Sequence, residues 1–374
     1  LTSAPISALA VELLRRQLVL VGTVTRVPAG EYSGPSGGTV TLSVPSPRTA
    51  RKQSTRAASI TYDQLAEVGV DVTVEHFYDG ALISDEELSL DIRSFGVQVL
   101  RPQVESVARA AEDQLADVMN GLTADTTIEW AASADPDDDK ATVLAIREQL
   151  TVNEAPAGER YVAVAPDIAT RILAVPGFVE ADKRGSTTAL DQAIIGTVYG
   201  LTFVESAGID DGTAIAYHRS GLAFGSATPA APGGGADSTT ATEGDVSLRH
   251  VLAFDPGHLA TASVVSVFAG AAVVDENDGE VVTLATSAAS DDIIDTAAAH
   301  GLKAGDRVQF PTLTGGTGLA TDKSYYVIAA NLAAQTFQVS ATPGGSAVNF
   351  TADITAGTVV KALPRVFKVG TASA

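Results

Sequence analysis

The chain has 374 residues, with 24 Lys and Arg against 45 Asp and Glu, a formal charge of −21, and no cysteine. That length allows two or three domains with sizeable cores, and the missing thiols exclude disulfides and any cysteine nucleophile or ligand. So negative a balance argues against a protein whose main task is gripping nucleic acid or an anionic membrane, because both need clustered Lys and Arg.

No apolar run reaches the length of a membrane span, and no secretion signal opens the chain, so a soluble acidic protein is expected. The first residue is Leu, which places the natural start upstream or marks it as removed. Hydrophobic content of 45% with 34 Gly and 5% aromatics predicts globular packing by small residues with many turns.

Residues 5–22 carry Leu9, Leu13, Leu14, Leu18 and Val21 at helical spacing, giving one apolar stripe before Gly22. A Gly, Pro and Ser-rich turn region follows over 28–38. Residues 37–45 alternate Val40, Leu42 and Val44 with Thr and Ser, a half-buried strand, and 70–80 could return as its partner. Between them Arg48, Arg51, Lys52 and Arg56 stand with no acid among them, the one basic block of the chain. This block is either a solvated loop or an arm tip that seeks an acidic partner. With a net charge of −21, another copy of the same chain fits that partner better than nucleic acid.

Ser84 to Glu87 fits a capping box, with acids in the first turn of a helix. Pro102 predicts a kink or short break, with proline opening the next helix. From Val97 the series Val97, Leu100, Val104, Val107, Ala108, Ala111, Leu115 and Val118 forms a narrow stripe on a helix of about six turns that ends near Asn120 and Gly121. Such a helix lies either across a sheet or in a bundle, with Val104 and Leu115 buried.

Residues 135–150 open with Asp135, Asp137, Asp138 and Asp139. They lack the ligand spacing of a calcium loop, and acids at a helix N-terminus explain them better. Residues 160–173 predict strand, tight turn and helix, 191–204 a helix or turn running into a strand, and 213–224 a strand pair. Together they suggest one α/β domain. Residues 228–244 predict a low-complexity loop that cannot pack, and 248–274 a helix or strand leading to a buried strand.

No constellation for catalysis stands out. His76, His218, His250, His258 and His300 fall in no metal-ligand spacing, and the chain has no nucleophile elbow, dinucleotide fingerprint or phosphate loop. Each histidine is expected to be a strand or turn residue, with no catalytic, cofactor-binding or metal role and no cofactor. The Asp275 to Gly279 run predicts an acidic hinge loop.

The order of these pieces resembles the major capsid proteins of tailed bacteriophages, particularly the podovirus coat-protein branch. The residues that carry the resemblance are Leu14 to Arg26, Gly37 to Pro45, Leu82 to Ala116, and the axial-domain-like stretches 160–173 and 187–206. The resemblance implies an α+β, Hong-Kong-97-type fold with N-terminal arm, extended β-loop, spine helix, peripheral domain and axial domain.

It assigns 1–28 to the N-terminal arm, 29–80 to the extended arm, 81–159 to spine helix and peripheral domain, and 160–247 to the axial domain. Residues 248–276 and 363–374 become peripheral strands. Residues 277–362 depart from that pattern: short alternating runs separated by Thr314-Gly315-Gly316 and Pro343-Gly344-Gly345 predict an inserted small β-sandwich or barrel. Residues 268–274 and 364–370 are expected to pair as a hairpin beneath it.

The function implied is a non-enzymatic shell protein, assembling with its own copies as hexamers and pentamers around phage DNA in the virion. Arg48, Arg51, Lys52 and Arg56 would lie at inter-subunit contacts. Scaffolding, portal and decoration proteins are the other expected partners, packaged DNA is touched only weakly, and no membrane is involved. The competing expectations are a secreted β-rich adhesin or carbohydrate-binding protein, and a hydrolase with scattered carboxylates.

Overall fold

The computed structural model describes residues 19–27, 38–45, 56, 67–84, 86–87, 95–122, 124–132, 135–175, 194–230, 237–243, 246–321, 323–342 and 344–372. Its elements begin with β1 (Thr25–Val27), β2 (Thr39–Pro45), β3 (Glu67–Thr73), β4 (Glu75–Ser84) and α1 (Arg101–Asn120). Then come β5 (Ala124–Trp130), α2 (Pro136–Val152), β6 (Arg160–Val164), α3 (Pro166–Ala174), β7 (Ile194–Val198), β8 (Leu201–Glu205) and β9 (Ala214–His218). Next are β10 (Leu222–Ala227), β11 (Asp237–Glu243), β12 (Val246–Asp255), β13 (Ala260–Val273), β14 (Glu276–Thr283) and β15 (Ile294–Asp295). The last are β16 (Arg307–Gly315), β17 (Ser324–Ile328), β18 (Thr336–Ser340), β19 (Ile354–Leu363) and β20 (Val366–Thr371). The chain is α+β and divides into two compact units. One holds Leu1–Val40, Val72–Val273 and Val366–Ala374, the other Thr41–Asp71 and Val274–Arg365.

The first unit contains two sheets. In one, β13 is the central strand: β4 runs antiparallel along one edge, while β12 and then β10 share the other. Beyond them β11 pairs with β12, and β1 lies parallel to β10. Helix α1 crosses the face of β13 and β4. Its stripe of Val104, Val107, Ala108, Ala111, Leu115 and Met119 is buried against Phe77, Ile83, Val265, Val267 and Leu248. Pro102 sits in the first helical turn, where its missing N–H would find no intrahelical partner anyway. The turn before it, Gly96–Leu100, is π-helical. The capping box forms as its sequence predicts: Ser84 N–H and Oγ–H donate to Glu87 Oε2 at 2.9 Å each, and Glu87 N–H donates back to Ser84 Oγ at 3.3 Å.

The second sheet runs β5-β20-β9-β6-β8-β7. Its core of Trp130, Val162, Val164, Leu201, Phe203 and Ala216 packs with Val143, Ile146 and Leu150 of α2 and Ile168 and Ile172 of α3. Asp135 caps α2 by accepting from Asp137 N–H at 2.9 Å. Asp139 does more than complement the helix dipole. Its buried carboxylate binds Arg171 of α3 at 2.5 Å, tying the two helices together.

Several sequence expectations change here. Residues 194–205 form a hairpin, with strand over 194–198 where a helix or turn was expected; Tyr199 and Gly200 both take positive φ (53° and 80°), the conformation a two-residue hairpin turn needs. The strand pair expected over 213–224 is split, since β9 joins the second sheet and β10 the first. The stretch expected to stay unpacked contains β11, whose Thr and Ser residues ladder onto β12.

The hairpin expected between 268–274 and 364–370 does not form. Residues 268–273 pair with β10, whereas β20 pairs antiparallel with β9 and parallel with β5. The terminal strand assigned to the peripheral domain is therefore a strand of the other sheet. Likewise β10 and β11 leave the axial range of 160–247 for the sheet of β13. Pairing partners of this kind are set by long-range packing, which alternation along one segment does not encode. The helix expected over 5–22 lies outside the described residues up to position 18.

In the second unit, six strands run in the order β14-β19-β16-β17-β18-β15. The ends of that series meet: Leu284 bridges Thr296, Ala285 N–H donates to Asp295 O at 2.8 Å, and Ala297 N–H to Thr283 O at 2.9 Å. The sheet closes on itself as a small barrel, which leaves no free edge there. Alternate residues Val308 and Phe310, Tyr325 and Val327, and Phe337 and Val339 fill it, with Phe350 and Ile354.

Candidate assembly interface

The basic block stands in the connection between β2 and β3, two strands that pair with each other. Thr39 and Thr73 share a side-chain hydrogen bond at 2.9 Å, and Thr41 Oγ1 donates to Asp71 Oδ1 at 2.5 Å. With those pairs in register, residues 46–66 are the connecting segment of a two-stranded arm. Arg56 is exposed, and Arg48, Arg51 and Lys52 lie outside the described residues.

Chain direction then carries β3 into β4 with a break only at Val74. At that break the backbone of Thr73 and Val74 passes against Gly270 of β13, where a Cβ would stand 2.0 Å from Thr73 O. Only glycine allows the approach. The sequence offers no signal for this, since Gly270 sits in a run of Ala and Val residues that reads as an ordinary strand.

On the face of β4 away from α1, Tyr78 is 70% exposed and Leu82 is 51% exposed. Their register partners on β13 are Ser266 and Ala262. A second exposed apolar group stands at the β12–β13 turn, where Phe254 and Leu259 flank His258. That turn is fixed by Asp255, which accepts from Gly257 N–H at 2.8 Å and pairs with His258 Nδ1 at 2.7 Å. The His258 contact, with the Gly257 amide, holds the Asp255 carboxyl below its usual range.

The histidines are scattered through the fold. His76 lies against Phe268, His218 Nδ1 meets Ser220 Oγ at 2.8 Å, His250 Nε2 meets Ser263 Oγ at 3.0 Å, and His300 Nδ1 accepts from Leu302 N–H at 3.0 Å. Among the described residues no three of His, Asp and Glu come together as a metal site. No described helix is long and apolar enough to cross a membrane.

Two polar residues on the inner side of α1 escaped the reading of the stripe. Gln103 and Glu112 are buried, and helical phase was the available signal: Glu112 follows Ala108 by four and precedes Leu115 by three. Glu112 Oε1 accepts from Val19 N–H at 3.1 Å and Leu20 N–H at 2.5 Å, fastening a short 3₁₀ turn to the helix.

No family model and no curated protein sequence matches the chain. Solved structures do. One, described as Mycobacterium phage Che8, is 19% identical, covers 68% of this chain and 86% of its own, and gives a TM-score of 0.47. The capsid structure of the cyanophage P-SCSP1u is 12% identical, covers 69% and 86%, and gives 0.49. A virus-like particle from Pyrococcus furiosus is 12% identical, covers 72% and 94%, and gives 0.42.

Proposed function

We propose that this chain is a major capsid protein with the Hong-Kong-97-type fold, and that it assembles with its own copies into the icosahedral shell of a tailed phage. The observation that carries this reading is the frame around β4. A long helix lies over β13 and β4, and β4 follows directly from a two-stranded arm whose connecting segment holds the basic block. A helix-backed sheet gives a rigid plate, and an arm of this kind gives a subunit something to lay on its neighbour.

Charge supports the same arrangement: four basic residues at one place in a chain of −21 are attracted to the acidic surface of another copy. Strong general binding to packaged DNA would be disfavoured by that charge. Scaffolding, portal and decoration proteins are the further partners of a shell of this type, and its place is the virion. Electron microscopy of the purified full chain tests the reading. Closed shells or hexamer and pentamer lattices are expected; discrete monomers at all concentrations and salt conditions would overturn it.

A further inference from the structure

The Glu112 carboxylate is buried in the first unit, 8% exposed, with the backbone amides of Val19 and Leu20 on one oxygen and no partner on the other, Oε2. The amides belong to a segment about ninety positions away in sequence, just ahead of β1. Leu20, Val21 and Val24 are fully buried there. Thr23 Oγ1 donates to Leu20 O at 2.7 Å, and Thr23 shares a 2.5 Å hydrogen bond with Tyr217 of β9. The segment is thus seated on α1 by one carboxylate, and the same segment helps keep water from that carboxylate.

We propose that Glu112 is a proton-operated latch, which seats the Val19–Val24 segment on α1 when its carboxyl is protonated and loosens it when the carboxyl ionises. The reason is the orphaned oxygen. Ionised, the group is a buried charge whose Oε2 has no donor to accept from; protonated, it loses the charge, Oε1 still accepts both amides, and a lone buried hydroxyl on Oε2 costs less than a buried charge. Releasing the segment would return an ionised carboxylate to water.

The surroundings agree on the sign. Burial pushes Glu112 up from 4.5 to about 7, outweighing the backbone amides of Leu20, Val19 and Val21, which act the other way. From its own helix Asp113 adds a like charge that raises it further. From β9 it faces Tyr217, whose hydroxyl burial keeps neutral, and Tyr161 of β6 stacks on Tyr217 with ring centres 5.8 Å apart. From the segment itself Arg26 reaches back to Val21 O at 3.3 Å. A seated form that binds its proton more tightly than the released form is favoured by protonation. The hold is therefore complete below 4.5, the ordinary value, and is lost as pH rises through about 7.

Hydrogen exchange of the amides in 19–24, expressed as protection factors at pH 5 to 8.5 on the full chain, tests the latch. Wild-type protection is expected to fall by about tenfold or more across that range, one unit of linkage or more. Glu112→Gln, neutral at every pH, is expected to keep the acid-form protection throughout. If that variant does not fold, Asp113→Asn at its exposed position gives the second reading: losing the like charge moves the wild-type midpoint to lower pH. A flat wild-type profile, the same slope in Glu112→Gln, or an unmoved midpoint in Asp113→Asn overturns the proposal.

Discussion

Gln103 and Ser263 bind each other twice. Gln103 Nε2 donates to the Ser263 carbonyl and Ser263 Oγ donates to Gln103 Oε1, both at 2.8 Å, fixing α1 to the first third of β13. Because the Ser263 proton is committed to Gln103, the 3.0 Å contact from His250 must carry its hydrogen on Nε2, so His250 is the neutral Nε2–H tautomer. All three side chains are buried, and the network sets where the helix lies along the strand.

Protonating His250 should cost stability, because Nε2–H already donates to Ser263 and the added proton at Nδ1 would put a charge on a buried ring. Burial holds its pKa below the ordinary 6.5. The unfolded chain then binds the proton more readily, so the contribution of His250 to stability is present above 6.5 and is lost as pH falls through its lower folded value. Glu112 acts in the opposite sense over 4.5 to about 7. The comparison that isolates His250 is therefore wild type against His250→Gln in urea unfolding at pH 5 and pH 7.5. The gap between the two should narrow at pH 5, and Gln103→Leu should cost about 1–3 kcal/mol at pH 7.5 by stranding its partners.

Gly270→Ala should destabilise the packing of the β3–β4 break against β13. The added methyl would lie 2.0 Å from Thr73 O and 3.0 Å from the Cα of Val74, so backbone rather than a flexible side chain must move. A cost of about 1–3 kcal/mol is expected. Gly80→Ala in β4 is the control, since its methyl would meet Val264 at an ordinary 3.5 Å. Equal unfolding midpoints for the two variants would show that the close approach is not maintained in solution.

Local patterns in the sequence foretold local structure well. The spacing from Val104 to Leu115 announced α1, Ser84 and Glu87 announced their capping box, and Asp135 announced the start of α2. Alternating residues also announced the barrel strands, because one side of each faces a single small core. What failed was partner choice. Residues 268–273 and β20 each look like a buried strand, and nothing in either segment says that one joins β10 and the other β5 and β9. Helical phase puts Glu112 on the buried side of α1, but the partners that hold Gln103, Glu112 and Asp139 inward are distant in the chain and not legible locally. The basic block is plain in the sequence, but the role proposed for it rests on a surface of another copy, which its own residues do not encode.

Reversing the charge of that block tests the role assigned to the arm. Arg48, Arg51, Lys52 and Arg56 changed together to Glu should leave the fold intact, since Arg56 is exposed and all four lie in the connection between β2 and β3. Assembly should suffer, because like charges would meet across the contact. Circular dichroism reports the fold and sedimentation the particle yield. Normal yield and unchanged salt tolerance in the mutant would remove the block from the interface.

The barrel should be separable from the rest of the chain, though by a route other than the hairpin its flanking residues suggested. Glu276 pairs with Leu363 and Asn277 with Ala362, so the chain leaves and returns through neighbouring antiparallel strands. Their Cα atoms are about 5 Å apart across such a ladder, a gap that a short turn spans. The two cores of the first unit draw no residue from 277–361, and the barrel has a core of its own. Asp275 needs attention in the design, because its carboxylate is buried and held by Arg307 at 2.6 Å and Ser324 at 2.6 Å, both of which would be lost. Replacing 277–361 with a short Gly/Ser turn, together with Asp275→Ser, should then give a soluble chain whose unfolding retains the transition of the first unit. If the barrel lies on the outer surface of a shell, particles of the shortened chain should close and lack protrusions seen with the full chain. An insoluble product would show that the barrel stabilises the remainder, and closed particles with an unchanged exterior would place it on the inner surface.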